Sequence, residues 1–550
     1  MLSTMLNILK ACLLATVKEN SLFDDASYLE ELNMLSDKDC SDNWNTKCQS
    51  LEKEFDLTPN THEQFTIEND ISHVFLFNSI NGTLDTTLFA SSEKIALPHH
   101  LKSWPDVVIK LNALYKEILG KNEHLYIKFK QTLQAYNSNS DLGSFTNLDS
   151  VFTKPSLKNA FTGSVLPRMI SLALQVEFLF PQGLPRLVCG GDIKSLTLSQ
   201  RQIACLLSNL FLCTFTDKMG SSVNLETESK NHKYIGVSFV RLFSSKKQSS
   251  VEKLKALINY FAKVTMACNT SYKQHHLILS TDDNAAVLPG CVTYARVKTD
   301  KIPDFTEEAY TKKTCQIRSN MNIEDFCGCV QVDFANKNIG GGILRYGAVQ
   351  EEIMIICRPE IICARLFTAT LNKDESLHIV GSECFNQVSG YSVNIKWAGN
   401  YIDNSERDIY GRRKSNICAI DALRVNSKCD NFKTCNIDRD LKKAFSGFKP
   451  YAFQNNIYNA IASGFWGCGA FKGDKEMKAL IQLIACMMAR RQLIFLTFGD
   501  SKFEERFTKM LDQFEDHNVT DKQLYNLIVE IPDDGPSAFE FIYEHLHVQK

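Results

Sequence analysis

Nothing in this sequence reads as a metal centre. Its 19 cysteines include no Cys-x-x-Cys pair and its 12 histidines never fall beside them at zinc-ligand spacing, His275-His276 and His545-x-His547 being the nearest approach. No metal and no cofactor is expected. The cysteines are odd in number and irregularly spaced, so they lack the pattern of a disulfide framework and read as reduced intracellular thiols. The sequons at Asn81, Asn269 and Asn518 are then expected to be silent. Long apolar runs are missing too, and nothing approaches the roughly 18 residues of a membrane span. Residues 203–215 are broken by Ser208 and Asn209, and residues 481–489 are closed by Arg490-Arg491, so both read as core helices. There is no surplus of one charge, with 61 basic against 63 acidic residues, which argues against a surface built to neutralise long nucleic acid. Neither stable nucleic-acid binding nor membrane attachment is expected. A polyanion gripped locally at one end remains compatible.

A chain of 550 residues exceeds one ordinary domain. Residues 1–95 are rich in Asn, Asp, Ser and Thr without a period, and are expected to form a variable, loosely ordered extension. Residues 96–232 read as an α-helical accessory domain, because Val107, Leu111, Leu114, Tyr115 and Ile118, and later Ile203, Leu206, Leu207 and Leu210, recur at three- and four-residue steps. From 233 to 550 short β-branched runs alternate with helices. Strands are expected at 237–243, 330–334, 377–381, 417–423 and 493–498, and helices at 254–264, 361–371 and 476–491. That alternation predicts an α/β sandwich with its ligand at the carboxyl ends of the strands.

The most informative stretch is Gly340-Gly341-Gly342, followed after seven residues by Gln350-Glu351-Glu352. Three glycines let the backbone take positive φ and approach a ligand closely, and their N–H groups fit phosphate oxygens. The two carboxyls point about 100° apart on a helix, so they cannot be two copies of one function. Upstream, the strand at 330–334 ends in Asp333 and leads to Asn336, residue types that bond sugar hydroxyls. A second glycine-rich loop, 464–474, opens into the helix at 476–491, and a helix N-terminus behind bare backbone is an anion site.

Taken together, the glycine triplet, Gln350-Glu351-Glu352, the segment Asp333-Phe334-Ala335-Asn336 and the loop around Gly467-Cys468-Gly469-Ala470-Phe471 resemble the poly(ADP-ribose) glycohydrolases over roughly residues 166–500. The resemblance implies a macrodomain, a mixed sheet between helices, preceded by the helical accessory domain. It implies hydrolysis of ribose–ribose O-glycosidic links, mainly from the chain terminus, with release of ADP-ribose. Glu352 would be the acid/base that protonates the departing 2′-oxygen and then activates water; Glu351 would hold ribose hydroxyls, and Asp333 would complete the catalytic set. Asn336, Gly340, Gly341, Gly342 and Gln350 would line the ribose and diphosphate. Gly467, Gly469 and Phe471 would clamp the other side of the diphosphate. Ile323 and Glu324 would meet the adenine edge, Tyr391 would fold over the ligand, and Phe498 would stack on adenine. Trp466 reads as core.

The chain departs from the family at Phe465, where an asparagine is usual, and is one residue shorter between Glu324 and Asp333. Partners implied are poly(ADP-ribose) and ADP-ribosylated proteins, the chain acting as a monomer in the DNA damage response, in nucleus and cytoplasm. Residues 1–17 are a poor signal peptide and only a slightly better organelle presequence. A macrodomain that binds ADP-ribose without cutting it, or a mono-ADP-ribosyl hydrolase, are the alternatives. The paired acids argue against the first, since a reader needs none.

Overall fold

The computed structural model describes residues 94–548 apart from 138–141, 143, 181–182, 188–194, 216–236, 275–289, 303, 409–410, 452–453, 455–458 and 534. The extension expected over 1–95 lies outside the described residues up to residue 93. Up to residue 274 the helices of eight or more residues are α1 (Trp104–Leu119), α2 (Leu125–Tyr136), α3 (Leu166–Leu174), α4 (Gln200–Phe211) and α5 (Gln248–Gln274) among the described residues. Helix α1 buries Val107, Leu111, Leu114 and Ile118, the apolar stripe of the sequence. At the start of α4, Ser199 Oγ accepts from Gln202 N at 3.1 Å while Gln202 Oε1 accepts from Ser199 N at 3.0 Å, a capping box that fixes its first turn.

The strand expected at 237–243 is instead a helical turn, Val240–Ser244. Phe239, Leu242 and Phe243 stand at helical spacing, and Phe243 packs between Phe145 and Phe211 at ring separations of 5.8 and 5.2 Å. The helix expected at 361–371 is also interrupted. A 3₁₀ turn, Pro359–Cys363, precedes a short α segment, Ala364–Phe367, and Thr368 is already extended.

Eight strands form one sheet: β1 (Ser195–Ser199), β2 (Cys291–Lys298), β3 (Cys315–Arg318), β4 (Val330–Asp333), β5 (Glu375–Val380), β6 (Asn416–Ala419), β7 (Ala460–Ser463) and β8 (Gln492–Leu496). Their order is β1-β2-β5-β6-β4-β7-β8-β3. The pairs from β1 to β6 are antiparallel, and those from β6 through β4, β7 and β8 to β3 are parallel. Alternate residues feed two cores, as pleating requires. Ile417, Ala419, Ile494 and Leu496 face the helices α1 to α5, whereas Cys418, Ile420, Leu493 and Phe495 face α7 (Thr434–Phe448), α8 (Lys475–Met488) and α9 (Ser501–Asp516). The short helix α6 (Gln350–Cys357) follows β4 in the chain.

The chain does not divide cleanly at residue 233. Strand β1 precedes that point yet pairs with β2 in the large sheet, while α5 follows it and packs on α3 and α4. The helical layer and the sheet are thus laced together. This brings α5 against the loop that carries the glycine triplet.

Candidate active site

The parallel half of the sheet places the carboxyl ends of β3, β4, β7 and β8 side by side, and the sequence-predicted segments other than that of Tyr391, which follows the separate strand Asn386–Ser389, lie after one of them. Asp333 ends β4; Ile323 and Glu324 follow β3, the second glycine loop follows β7, and Phe498 follows β8.

Gln350 locks the start of α6 onto β4. Its Oε1 accepts from Phe334 N at 2.7 Å and its Nε2 donates to Val332 O at 3.2 Å, so its amide positions the acids. Glu351 and Glu352 are then both buried. Glu351 accepts from Asn336 N at 3.0 Å and from Gly340 N at 2.5 Å. Glu352 accepts from Gly342 N at 2.6 Å and from Val349 N at 2.9 Å. The third glycine N–H, on Gly341, donates to Asn338 O at 3.2 Å. This corrects the reading of the triplet as a free phosphate cradle: its N–H groups are spent within the chain, and the anions two of them hold are the carboxylates of Glu351 and Glu352.

The glycines are required there for space. A Cβ on Gly341, whose φ is +41°, would lie 2.5 Å from Glu351 Oε2 and 2.7 Å from Glu352 Oε1. One on Gly347 would lie 2.8 Å from Glu352 Oε1.

Asp333 is fully buried, and neither of its carboxyl oxygens has a hydrogen-bond partner among the described residues. Burial, then the charges of Glu352 and Glu324, push its carboxyl well above the usual range. Burial, then Asp333 and Glu352, does the same to Glu351 against the opposing backbone donors. Asp333 and Glu351, this close and this dry, cannot both be charged, and the two retain a proton between them at neutral pH. Glu324 is pushed up to about 7, chiefly by burial, with one carboxyl oxygen sealed from solvent.

Four side chains that the sequence did not single out hold the glycine loop from outside. Lys253 on α5 donates to the carbonyls of Gly342, Ile343 and Arg345 at 3.0, 3.3 and 3.2 Å. Ser249 and Ser250 donate to Tyr346 O and Arg345 O, and Arg365 donates to Gly341 O at 3.0 Å. The only signal in the sequence was a lysine beside the apolar stripe of α5.

Around this cluster Asn336 accepts from Asn338 N at 3.0 Å, which fixes its amide plane. Tyr391 is 57% exposed; its hydroxyl takes a backbone hydrogen bond from Gln350 and is pushed up by burial and by the nearby Glu352 charge. Its turn is tied to the loop before α6 by Ser392 N donating to Ala348 O at 2.8 Å. Ile323 is sealed in the core, so its side chain presents no face at the surface.

In the second glycine loop Trp466 is core as expected, donating from Nε1 to Ile420 O. Gly467, with φ +77°, is forced by Ala422, whose Cβ would lie 2.4 Å from an added Cβ. The helix behind the loop is not open to an anion. Asp474 caps it, accepting from Glu476 N and Met477 N at 3.0 Å each. The N–H groups of Gly467, Gly469, Ala470 and Phe471 make no hydrogen bond among the described residues, so the anion-binding capacity sits on the loop apex. Phe471 is half-buried. Phe498 is 44% exposed at φ +49°, with its ring 6.3 Å from that of Phe465. Phe465 packs against Phe495 and Phe503, which closes an aromatic cluster at this point of the loop. No cluster of His, Cys, Asp and Glu suited to a metal occurs among the described residues.

The comparisons with known proteins agree with this fold. Residues 153–296 match the helical domain of poly(ADP-ribose) glycohydrolase, and residues 302–505 match its macro domain fold. The chain is 33% identical to poly(ADP-ribose) glycohydrolase 1 of Caenorhabditis elegans, over 66% of this chain and 43% of that protein. It is 32% identical to poly(ADP-ribose) glycohydrolase 2 of the same organism, over 66% of this chain and 70% of that protein. A probable poly(ADP-ribose) glycohydrolase 2 of Arabidopsis thaliana is 28% identical over 62% of this chain and 72% of that protein. With a helical layer laced into a mixed sheet and paired acids held by a glycine loop at its carboxyl edge, the chain belongs to the poly(ADP-ribose) glycohydrolase family.

Proposed function

We propose that this protein is a glycosidase that hydrolyses the ribose–ribose O-glycosidic bonds of poly(ADP-ribose), mainly from the chain terminus, and releases ADP-ribose. The observation that carries the reading is the buried cluster of Asp333, Glu351 and Glu352 beneath the glycine loop. Breaking a glycosidic bond to ribose needs a proton for the leaving oxygen and negative charge beside an oxocarbenium-like centre. A buried carboxyl cluster whose Asp333 and Glu351 are pushed well above the usual range supplies both. Glu352 protonates the departing 2′-oxygen and then takes a proton from water. Glu351, fixed by Asn336 N and Gly340 N, keeps lone pairs for ribose hydroxyls. Asp333 holds the pair's protonation state from below.

The unpaired N–H groups of the second glycine loop take the diphosphate, with Phe471 beside it. Adenine stacks on Phe498 and meets Glu324 at its edge, and Tyr391 covers the ribose end. The chemistry asks for no metal. The protein acts as a monomer on poly(ADP-ribose) attached to proteins, in nucleus and cytoplasm, within the DNA damage response. The test is product analysis after incubation of the purified protein with labelled poly(ADP-ribose). ADP-ribose accumulating from the earliest times is expected. No product, or release only of single units from mono-ADP-ribosylated protein, contradicts the proposal.

A further inference from the structure

Beyond the second glycine loop lies an open depression of about 610 Å³, lined by residues 425–428, Asn431, Cys468, 472–476, Asp500, Lys502, Phe503 and Arg506. None of the three catalytic carboxylates reaches it. Its size falls in the range of roughly 300–1,000 Å³ typical of small-ligand sites. Five cations line it, Lys428, Lys472, Lys475, Lys502 and Arg506, against the carboxylates of Asp474, Glu476 and Asp500.

The pairings decide its character. Lys475 is bound to Asp500 at 2.5 Å, Arg506 to Glu476 at 2.7 Å, and Asp474 is occupied in capping α8. Lys428, Lys472 and Lys502 have no carboxylate within ion-pair distance among the described residues, and all three are exposed. Three unpaired ammonium groups therefore converge on one concavity, which draws a multiply charged anion. The place of the depression says which. Lys475 lies over the Phe465 ring at 4.4 Å, and Phe465 neighbours Phe498, so the depression adjoins the adenine end of the cleft.

Resting on the function proposed above, we infer that this depression is a second polymer subsite, which holds the diphosphate of the ADP-ribose unit attached to the adenosine ribose of the unit in the cleft. In a terminal unit that ribose carries no further unit and the subsite stays empty. In an internal segment the chain must leave the cleft beside the adenine, where these lysines meet its next diphosphate. The subsite therefore serves cuts inside the chain and is silent in release from the terminus.

The test compares wild type with Lys428→Glu/Lys502→Glu on poly(ADP-ribose) of defined length, scoring early products as ADP-ribose or as oligomers, with titration of free ADP-ribose alongside. The share of oligomeric products should fall at least fivefold in the double variant. ADP-ribose release and ADP-ribose affinity should stay within about twofold, and Lys428→Arg/Lys502→Arg should keep the wild-type pattern. An unchanged oligomer share, an equal loss of both products, or wild type that yields no oligomers would overturn the inference. So would single-stranded RNA that binds through the two lysines while oligomer release is unaffected, since that would make the patch a nucleic-acid surface. Failure of wild type to release any ADP-ribose would instead count against the proposed function, so the two failures are distinguishable.

Discussion

The ammonium of Lys253 donates to the carbonyl of Gly342 at 3.0 Å, and the N–H of Gly342 donates in turn to Glu352 at 2.6 Å. One residue of the glycine loop thus joins a lysine of the helical layer to the acid of the site. In the proposed mechanism this contact gives the helical layer a part in the chemistry, because it sets where Glu352 stands.

Lys253→Met should lower kcat about a hundredfold, the scale of an angstrom-sized misplacement of a catalytic group, with a smaller change in ADP-ribose affinity. Burial lowers the Lys253 pKa to about 8, with Glu352 opposing. The ammonium is then lost as pH rises through about 8, where a free lysine stays charged to about 10.4. Wild-type turnover should fall across that range, and the limb should flatten in Lys253→Met; an unchanged midpoint in the variant contradicts the assignment. Stability runs the other way. The depressed pKa means that the unfolded chain binds more protons between about 8 and 10.4, so this group adds stability as pH rises through that window. Denaturation midpoints of the two proteins at pH 7 and pH 10 measure it.

Gly341→Ala tests whether the triplet exists to admit the carboxylates. The added Cβ would meet Glu351 Oε2 at 2.5 Å at a φ of +41°, so both the strain and the contact oppose it. Activity should fall by more than a hundredfold, and the folded state should lose about 1 kcal/mol or more. Near-normal turnover would show that the loop tolerates displacement of Glu351.

Phe498→Ala should weaken ADP-ribose binding ten- to a hundredfold, because base–aromatic stacking contributes about 1–3 kcal/mol. The ring is 44% exposed, so thermal stability should change little. Calorimetric titration giving unchanged affinity would make Phe498 a packing residue of the Phe465 cluster.

The paired acids and their glycines were legible because they are local in sequence, Asp333 to Glu352 forming one strand–loop–helix unit. Lys253 was not, since it reaches the loop across 89 residues and a lone lysine flanking an apolar stripe has no period of its own. Strand β1 was hidden for a related reason. Its Ser-Leu-Thr-Leu-Ser sequence is buried on both faces, and Thr197 is satisfied only by bonding Thr293 of β2 at 2.9 Å. Residues 237–243 read as a strand because they form a short β-branched, apolar run; an aromatic cluster with Phe145 and Phe211 accompanies the helical turn Val240–Ser244 instead. The capped start of α8 was missed: the glycine loop before it read as an open anion site, although Asp474, directly before the helix, is itself an N-cap signal.

In the proposed mechanism a single carboxyl, Glu352, delivers the proton to the leaving oxygen. The direct measurement is polymer cleavage by Glu352→Gln beside its ADP-ribose affinity. Loss of a general acid costs about 10²–10⁴ in rate. Turnover should fall by at least that much, with affinity within about tenfold of wild type. Retention of more than about a tenth of wild-type cleavage would contradict the assignment.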